Sequence, residues 1–120
     1  MFHGTKLMNI SLIIPVRDEA DSIENLVDSI LDQTRMPDEI ILVDGGSRDG
    51  TVKLIEERIC GDDRFRVITR ENAMPGEGRN TGIEAARCEW IALTDAGIRL
   101  DRDWLSNLAQ ISESDTGIDI

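Results

Sequence analysis

The segment 10–44 alternates two apolar runs with an amphipathic stretch, and both apolar runs end abruptly in polar, turn-forming loops. Residues 10–15 and 39–43 are short and almost continuously apolar, as in strands that are buried on both faces. Between them, apolar residues recur at positions i, i+3, i+4, i+7 and i+8 of the stretch 23–31, which is typical of an amphipathic helix. Because parallel strands need a helical crossover, the segment predicts a βαβ unit.

The same alternation continues to residue 111, so the chain predicts a single α/β domain with a Rossmann-like, mostly parallel sheet and flanking helices. The flanking residues 1–9 and 112–120 are expected to be tails. The predicted strands are residues 10–15, 39–43, 64–69 and 90–94, and the predicted helices are residues 19–33, 52–59, 79–87 and 101–111.

Length and charge limit the classes of partner. A chain of 120 residues with 40% hydrophobic content has enough apolar surface for one core and too little for two. The formal net charge of −11, from 24 acids and 13 bases, works against nucleic acid or an anionic membrane surface as the main partner, because either would repel the chain at long range. One small phosphorylated ligand remains compatible, because a local nest of backbone N–H groups and an arginine can hold it at short range.

Cysteine usage indicates a reducing compartment. Cys60 and Cys88 lie far apart, and the only histidine is His3, so neither a zinc site nor a disulfide framework is predicted. No apolar run approaches the roughly 20 residues of a membrane-spanning helix, and no signal-peptide pattern precedes Ile10. We therefore expect a soluble, cytoplasmic protein.

The chemistry-bearing residues cluster after the strands, where ligands of open α/β sheets bind. We expect the strand ladder to stop at Pro15, which leaves the backbone beyond it free to bond a base edge. Arg17 can then reach a phosphate. Asp18 and Glu19 serve equally well in the first turn of the helix, where the dipole favours acids.

Further polar residues follow the second strand and open the predicted third helix. Asp44 either caps the turn after its strand or accepts from a base N–H or a ribose hydroxyl. Ser47 and Asp49 are N-cap candidates for the second helix. Arg79 is expected at the start of the third helix, where a cation opposes the dipole; it is either a phosphate ligand or an exposed arginine without function.

Asp95 ends the fourth predicted strand and is the strongest candidate for chemistry. A carboxylate at a strand-to-loop break can accept ribose hydroxyls, or it can hold a divalent metal that bridges a diphosphate. A Mg²⁺ ion commonly uses one or two carboxylates together with phosphate oxygens, so a single carboxylate is weak evidence for a metal site.

Residues 10–108 resemble the N-terminal, nucleotide-binding half of the family 2 glycosyltransferases. The matching motifs are residues 14–19, 29–33, 43–51, 78–82 and 90–97, in that order. The resemblance implies an incomplete GT-A fold that binds a UDP- or GDP-linked sugar for transfer with inversion. By the same resemblance the nucleotide-sugar site comprises Pro15, Val16, Arg17, Glu19, Asp44, Arg79, Asp95, Ala96 and Gly97.

Two substitutions depart from the family pattern. Gly45 stands where the family often has a second aspartate. Gly97 occupies the last position of the DxD motif, which is usually the metal-binding aspartate, so a Mn²⁺ or Mg²⁺ cofactor has only Asp95 as its inherited ligand.

The family's catalytic domain continues into an acceptor-binding half that supplies the general base. An inverting transfer needs that base, and the residues present nominate none. We therefore expect a donor-binding half that is inactive by itself. The alternative is a non-catalytic interaction module, in which the open sheet edge pairs with a second copy or with another partner.

Overall fold

Four parallel strands form one sheet in the order β3-β2-β1-β4 in the computed structural model, which describes residues 9–114 and the side chains of residues 9–111. The predicted fold class is confirmed. The elements are β1 (Ile10–Val16), α1 (Ile23–Leu31), β2 (Glu39–Asp44), α2 (Thr51–Ile59), β3 (Phe65–Thr69), α3 (Pro75–Ala85), β4 (Trp90–Leu93) and α4 (Trp104–Ser114).

The central strand β1 pairs with β2 on one side and with β4 on the other. Its ladder with β2 continues past Pro15, because Val16 is paired with Asp44 and its carbonyl accepts the N–H of Gly45 at 2.9 Å. The expectation that the ladder stops at Pro15 was therefore wrong. The proline lacks only its own N–H, and the next carbonyl completes the ladder.

Alternate residues of β1 supply two cores. Ile10, Leu12, Ile14 and Val16 face α1, α2 and α4, whereas Ile13 faces the opposite side with residues of β2 and the end of α3. Burying each such side chain stabilises the fold by about 1.5–3 kcal/mol. The strand thus reads as continuously apolar because helices cover both of its faces.

Helix α3 begins at Pro75, four residues before its predicted start. The sequence suggested a loop because two glycines follow the proline. Gly78 and Gly82 instead allow α3 to approach the sheet, since an added Cβ would lie 3.1 Å from Pro15 and 2.3 Å from Ile13. The first turn is closed by Glu77, whose carboxylate accepts the N–H of Met74 at 3.0 Å.

The first helix begins at Ile23, later than the predicted residue 19, and residues 20–22 form turns that precede it. The N–H groups of Ser22 and Ile23 both donate to the Glu19 carbonyl there. Asp18 and Glu19 therefore do not lie in its first turn. Helix α4 is shifted by three residues and includes residues 112–114 of the predicted tail, whereas residues 1–8 and 115–120 of the predicted tails lie outside the described residues. Within the described part of the chain, none of the helices has the length and apolar character needed to cross a membrane.

Candidate nucleotide-sugar site

A cleft of about 420 Å³ opens at the carboxyl end of β1. The connections from β1 lead first to β2 and β3 on one side, and the chain then returns to β4 on the other side of β1. The loops that follow β1 and β4 diverge at such a topological switch point, which leaves a crevice that suits a ligand. The lining residues are Pro15, Val16, Arg17, Glu19, Val43, Gly45, Ala73, Met74, Pro75, Gly78, Arg79, Asp95 and Ala96.

The structure brings together in this cleft most of the residues that the sequence nominated, and it leaves Asp44 and Gly97 outside the lining. The main contribution that sequence reasoning missed comes from residues 73–75, which follow β3 and start α3. The proline at the first position of a helix was the available signal for this helix start.

Asp44 is 2% exposed, and its carboxylate is engaged by the loop that follows it. One oxygen accepts the N–H groups of Gly46 and Ser47, each at 3.1 Å, and the other accepts the Ser47 hydroxyl at 2.5 Å. Of the two interpretations that the sequence left open, the geometry is that of a residue that holds its turn.

Gly45 forms part of the cleft wall beneath Arg17. A Cβ at position 45 would lie 2.9 Å from the carbonyl oxygen of Ala73 and 3.4 Å from the Cδ atom of Arg17. The backbone oxygen cannot move without disturbing the loop after β3. The site therefore has no room for the aspartate that the family often carries here.

Two arginines give the cleft its positive charge. Arg17 is exposed, and among the described side chains of residues 9–111 no acidic group forms an ion pair with it. Arg79 is half-buried, and its guanidinium lies 3.7 Å from the carboxylate of Asp95. Arg79 does not open α3 as predicted, because the helix starts at Pro75 and places Arg79 one turn further along.

Two carboxylates also face this region. Asp95 is largely exposed, and Glu19 lines the same cleft while one of its oxygens accepts the Ser22 hydroxyl at 2.9 Å. Gly97 has a φ of +89°, and a Cβ built on it would point at the Glu19 carboxylate, 3.6 and 3.9 Å from its two oxygens. Glu19 thus stands close to where a side chain at position 97 would project.

Ser47 and Asp49 do not occupy the N-cap position of α2, which belongs to Gly50. The predicted N-cap role was wrong for both residues. The Asp49 carboxylate does accept the N–H of Thr51, the first residue of α2, at 3.1 Å. In addition, side-chain oxygens of both residues bond to backbone N–H groups of the loop after β1. This loop is 29 residues away in the sequence, and no local pattern indicates the contact.

The model of glycosyl transferase family 2 matches residues 11–118. The chain belongs to this family. It is 31% identical to the glycosyltransferase GlyG of Streptococcus pneumoniae over 111 residues, which cover 91% of the chain and 37% of GlyG. It is 40% identical to the uncharacterized glycosyltransferase EpsJ of Bacillus subtilis over 86 residues, which cover 72% of the chain and 25% of EpsJ.

Solved structures place the fold among the GT-A glycosyltransferases. The mannosyltransferase PcManGT from Pyrobaculum calidifontis, solved with GDP-Man and Mn²⁺, superposes with a TM-score of 0.84 at 26% identity over 95% of the chain and 34% of PcManGT. The fragment 1–349 of S. aureus TarS, solved with UDP-GlcNAc, superposes with a TM-score of 0.79 at 24% identity, over 89% of the chain and 32% of that fragment. The family 2 chain thus spans about a third of each of these two solved structures.

Proposed function

We propose that this family 2 chain binds the nucleotide-diphospho-sugar donor of a glycosyl transfer, with a UDP- or GDP-linked sugar in the cleft at the carboxyl end of β1. The observation that carries the proposal is the convergence of seven of the nine nominated residues on that cleft, with Arg17 and Arg79 among them. PcManGT and TarS, solved with GDP-Man and UDP-GlcNAc, support the same class of ligand.

Different residues of the cleft are assigned to the diphosphate and to the nucleoside of the ligand. Guanidinium groups match phosphate oxygens in charge and geometry, so Arg17 and Arg79 are assigned to the diphosphate. Pro15 and Val16, with the bare backbone of Gly45, form the wall on which the base and ribose lie. Asp44 belongs to the same site through the loop it holds.

A divalent metal suits the oxygen ligands that the cleft and a bound diphosphate would provide. Mn²⁺ and Mg²⁺ prefer carboxylate and phosphate oxygens, and Mg²⁺ often takes only one or two protein carboxylates beside its substrate phosphates. Among the described residues no group of three potential ligands is preassembled. Asp95, with Glu19 in place of the missing acid at position 97, would hold the metal, which when bound neutralises the charge on the diphosphate leaving group.

Catalysis by these residues alone is not proposed. An inverting transfer needs a general base beside the acceptor hydroxyl, and we assign that base and the acceptor site to the part of the relatives that these residues do not span. We propose a donor-binding half that is inactive without such a part. The cytoplasmic location stays a prediction that rests on the free thiols of Cys60 and Cys88.

A second function, as an interaction module, is favoured by the outer edge of β4. Within residues 9–114 no strand pairs with that edge, and Leu93 and Ile98 are 42% and 48% exposed. We propose that a second copy or another polypeptide covers it, because an unpaired apolar edge invites strand pairing. Light scattering during size-exclusion chromatography tests self-association, and Leu93→Lys should return a dimer to the monomer.

Backbone amide chemical shifts measured during titration with UDP and with GDP test the donor site. The proposal expects saturable shifts concentrated in residues 16–19, 45, 73–74 and 76–79, and it expects one nucleotide to bind more tightly than the other. Shifts scattered over the surface, or none at millimolar nucleotide, would contradict it.

A further inference from the structure

Three consecutive backbone N–H groups after β1 are bound by side chains of the loop after β2 and of the first residue of α2. The N–H of Asp18 donates to the Ser47 hydroxyl at 2.8 Å, that of Glu19 to the Thr51 hydroxyl at 2.9 Å, and that of Ala20 to the Asp49 carboxylate at 3.0 Å. We call Ser47, Asp49 and Thr51, which occupy alternate positions, the clamp residues.

The hydrogen bonds between the segments 47–51 and 18–20, which we call the clamp, run in both directions. The Asp18 carboxylate accepts the N–H of Arg48 at 2.8 Å, so each loop both donates and accepts. Asp18 has a φ of 52°, a left-handed conformation that residues with a side chain adopt infrequently. The clamp therefore maintains a backbone conformation that the local sequence does not favour.

Asp44 orients one of the clamp residues. The Ser47 hydroxyl has one proton, which it donates to the buried Asp44 carboxylate, so its lone pairs remain to accept the Asp18 N–H. Asp49 is oriented in turn by Thr51, whose hydroxyl donates to its carboxylate. This bond and the N–H of Ala20 hold the pKa of Asp49 below its usual range, so the carboxylate remains a charged acceptor at neutral pH.

The clamped segment, residues 18–20, directly follows one cleft residue and contains another. Arg17 precedes Asp18 and Glu19 is itself clamped, and both line the cleft, whereas none of the clamp residues does. We propose that Ser47, Asp49 and Thr51 are positioning residues of the donor site, which direct Arg17 and Glu19 toward the ligand, and that Asp44 acts through Ser47 rather than by touching the nucleotide. The effect on ligand affinity rests on the proposed function.

The first test needs no nucleotide. Hydrogen exchange of the Asp18 amide, followed by NMR on the 120-residue chain, should accelerate about three- to tenfold in Ser47→Ala, which loses the acceptor. Ser47→Thr retains a hydroxyl and should restore slow exchange. Ser106→Ala, a matched change on α4 outside the cleft, should leave it unchanged. Equal exchange in the wild type and Ser47→Ala would overturn the clamp itself.

The second test is a double-mutant cycle on the dissociation constants for UDP and GDP. Ser47→Ala should weaken binding of the preferred nucleotide about three- to tenfold. In chains that already carry Arg17→Ala and Glu19→Gln it should have almost no further effect, because a positioning residue has nothing left to position. The same loss in both backgrounds would show that Ser47 touches the ligand and would overturn the proposal. If the wild type binds neither nucleotide, the proposed function fails, while the exchange measurement still decides the clamp.

Discussion

The guanidinium of Arg79 lies 3.7 Å from the carboxylate of Asp95, which joins the first half of α3 to the loop after β4 across the cleft. At this distance, and with the Asp95 side chain 70% exposed, the pair is a weak ion pair. An incoming diphosphate can therefore draw Arg79 away from Asp95 at little cost.

Replacing Arg79 with glutamine should impair binding without affecting the fold. We expect the dissociation constant for the preferred nucleoside diphosphate to rise about ten- to a hundredfold, because a charged hydrogen bond to phosphate is lost. The free energy of unfolding should change by less than about 0.5 kcal/mol. Calorimetric titration and urea denaturation measure the two quantities.

Arg70→Gln is the matched control for this variant. Arg70 also lies 3.7 Å from an acid, Glu77, but it is outside the cleft lining. Nucleotide affinity should stay within about twofold of the wild type, since a surface charge outside the site acts only through screened long-range attraction. Equal losses in the two variants would show that the effect of Arg79 is general electrostatics.

Glu19 and Asp95 should both contribute to metal affinity. In the presence of nucleoside diphosphate, Glu19→Gln and Asp95→Asn should each weaken Mn²⁺ binding about tenfold or more, because each removes a charged oxygen ligand. Electron paramagnetic resonance of free Mn²⁺ measures this directly. Asp21→Asn removes the same charge from an exposed residue of the same loop and should leave Mn²⁺ binding unchanged.

Close packing of α3 on the sheet predicts opposite effects for two glycines of that helix. Gly82→Ala should lower the free energy of unfolding by about 1–3 kcal/mol, because its Cβ would lie 2.3 Å from Cγ2 of the fully buried Ile13. Gly76→Ala meets no atom within 4 Å and should stabilise the chain by about 0.4–1 kcal/mol. Chemical denaturation of both variants checks the prediction, which would be contradicted by equal effects.

Acid unfolding should depend on Glu39, which lies near the opposite end of the sheet from the cleft. Burial raises the pKa of its carboxyl, but the N–H of Arg87, the Ser11 hydroxyl and the Arg66 guanidinium outweigh burial and hold the pKa below its ordinary value. The ionised form therefore stabilises the fold above the unfolded-state pKa, which is about 4.3. This contribution is lost as the pH falls from there through the lower native pKa.

Glu39→Gln should accordingly be less stable than the wild type at pH 7 and should approach it as the pH falls below about 4. Melting temperatures measured from pH 7 to pH 3 give the comparison. Glu57→Gln, on the exposed face of α2, should follow the wild-type curve. A constant difference between Glu39→Gln and the wild type over this range would disprove the linkage.

The sheet was predictable because most of its strands correspond to uninterrupted apolar runs in the sequence. The runs that became β1, β2 and β4 are apolar, and their observed ends differ from the predicted ends by one residue. The starts of α1 and α3 were wrong for a common reason. The segment before α1 is hydrogen-bonded to residues about 30 positions away, and the start of α3 contains Gly78, which packs on Pro15.

The position of the site in the fold could be predicted from the sequence, whereas many of the contacts between its residues could not. Arg79 and Asp95 were nominated from motifs and do face the same cleft. The burial of Asp44 and the approach of Glu19 to Gly97 depend on how separate loops meet. No spacing in the sequence carries that information.

Calorimetric titration of the purified chain with UDP and GDP, each with and without Mn²⁺, tests the donor-binding claim most directly. We predict saturable binding of one nucleotide that Mn²⁺ strengthens and that Asp95→Ala weakens, while the variant remains folded. No heat of binding for either nucleotide, with or without the metal, from a chain shown to be folded would contradict the account.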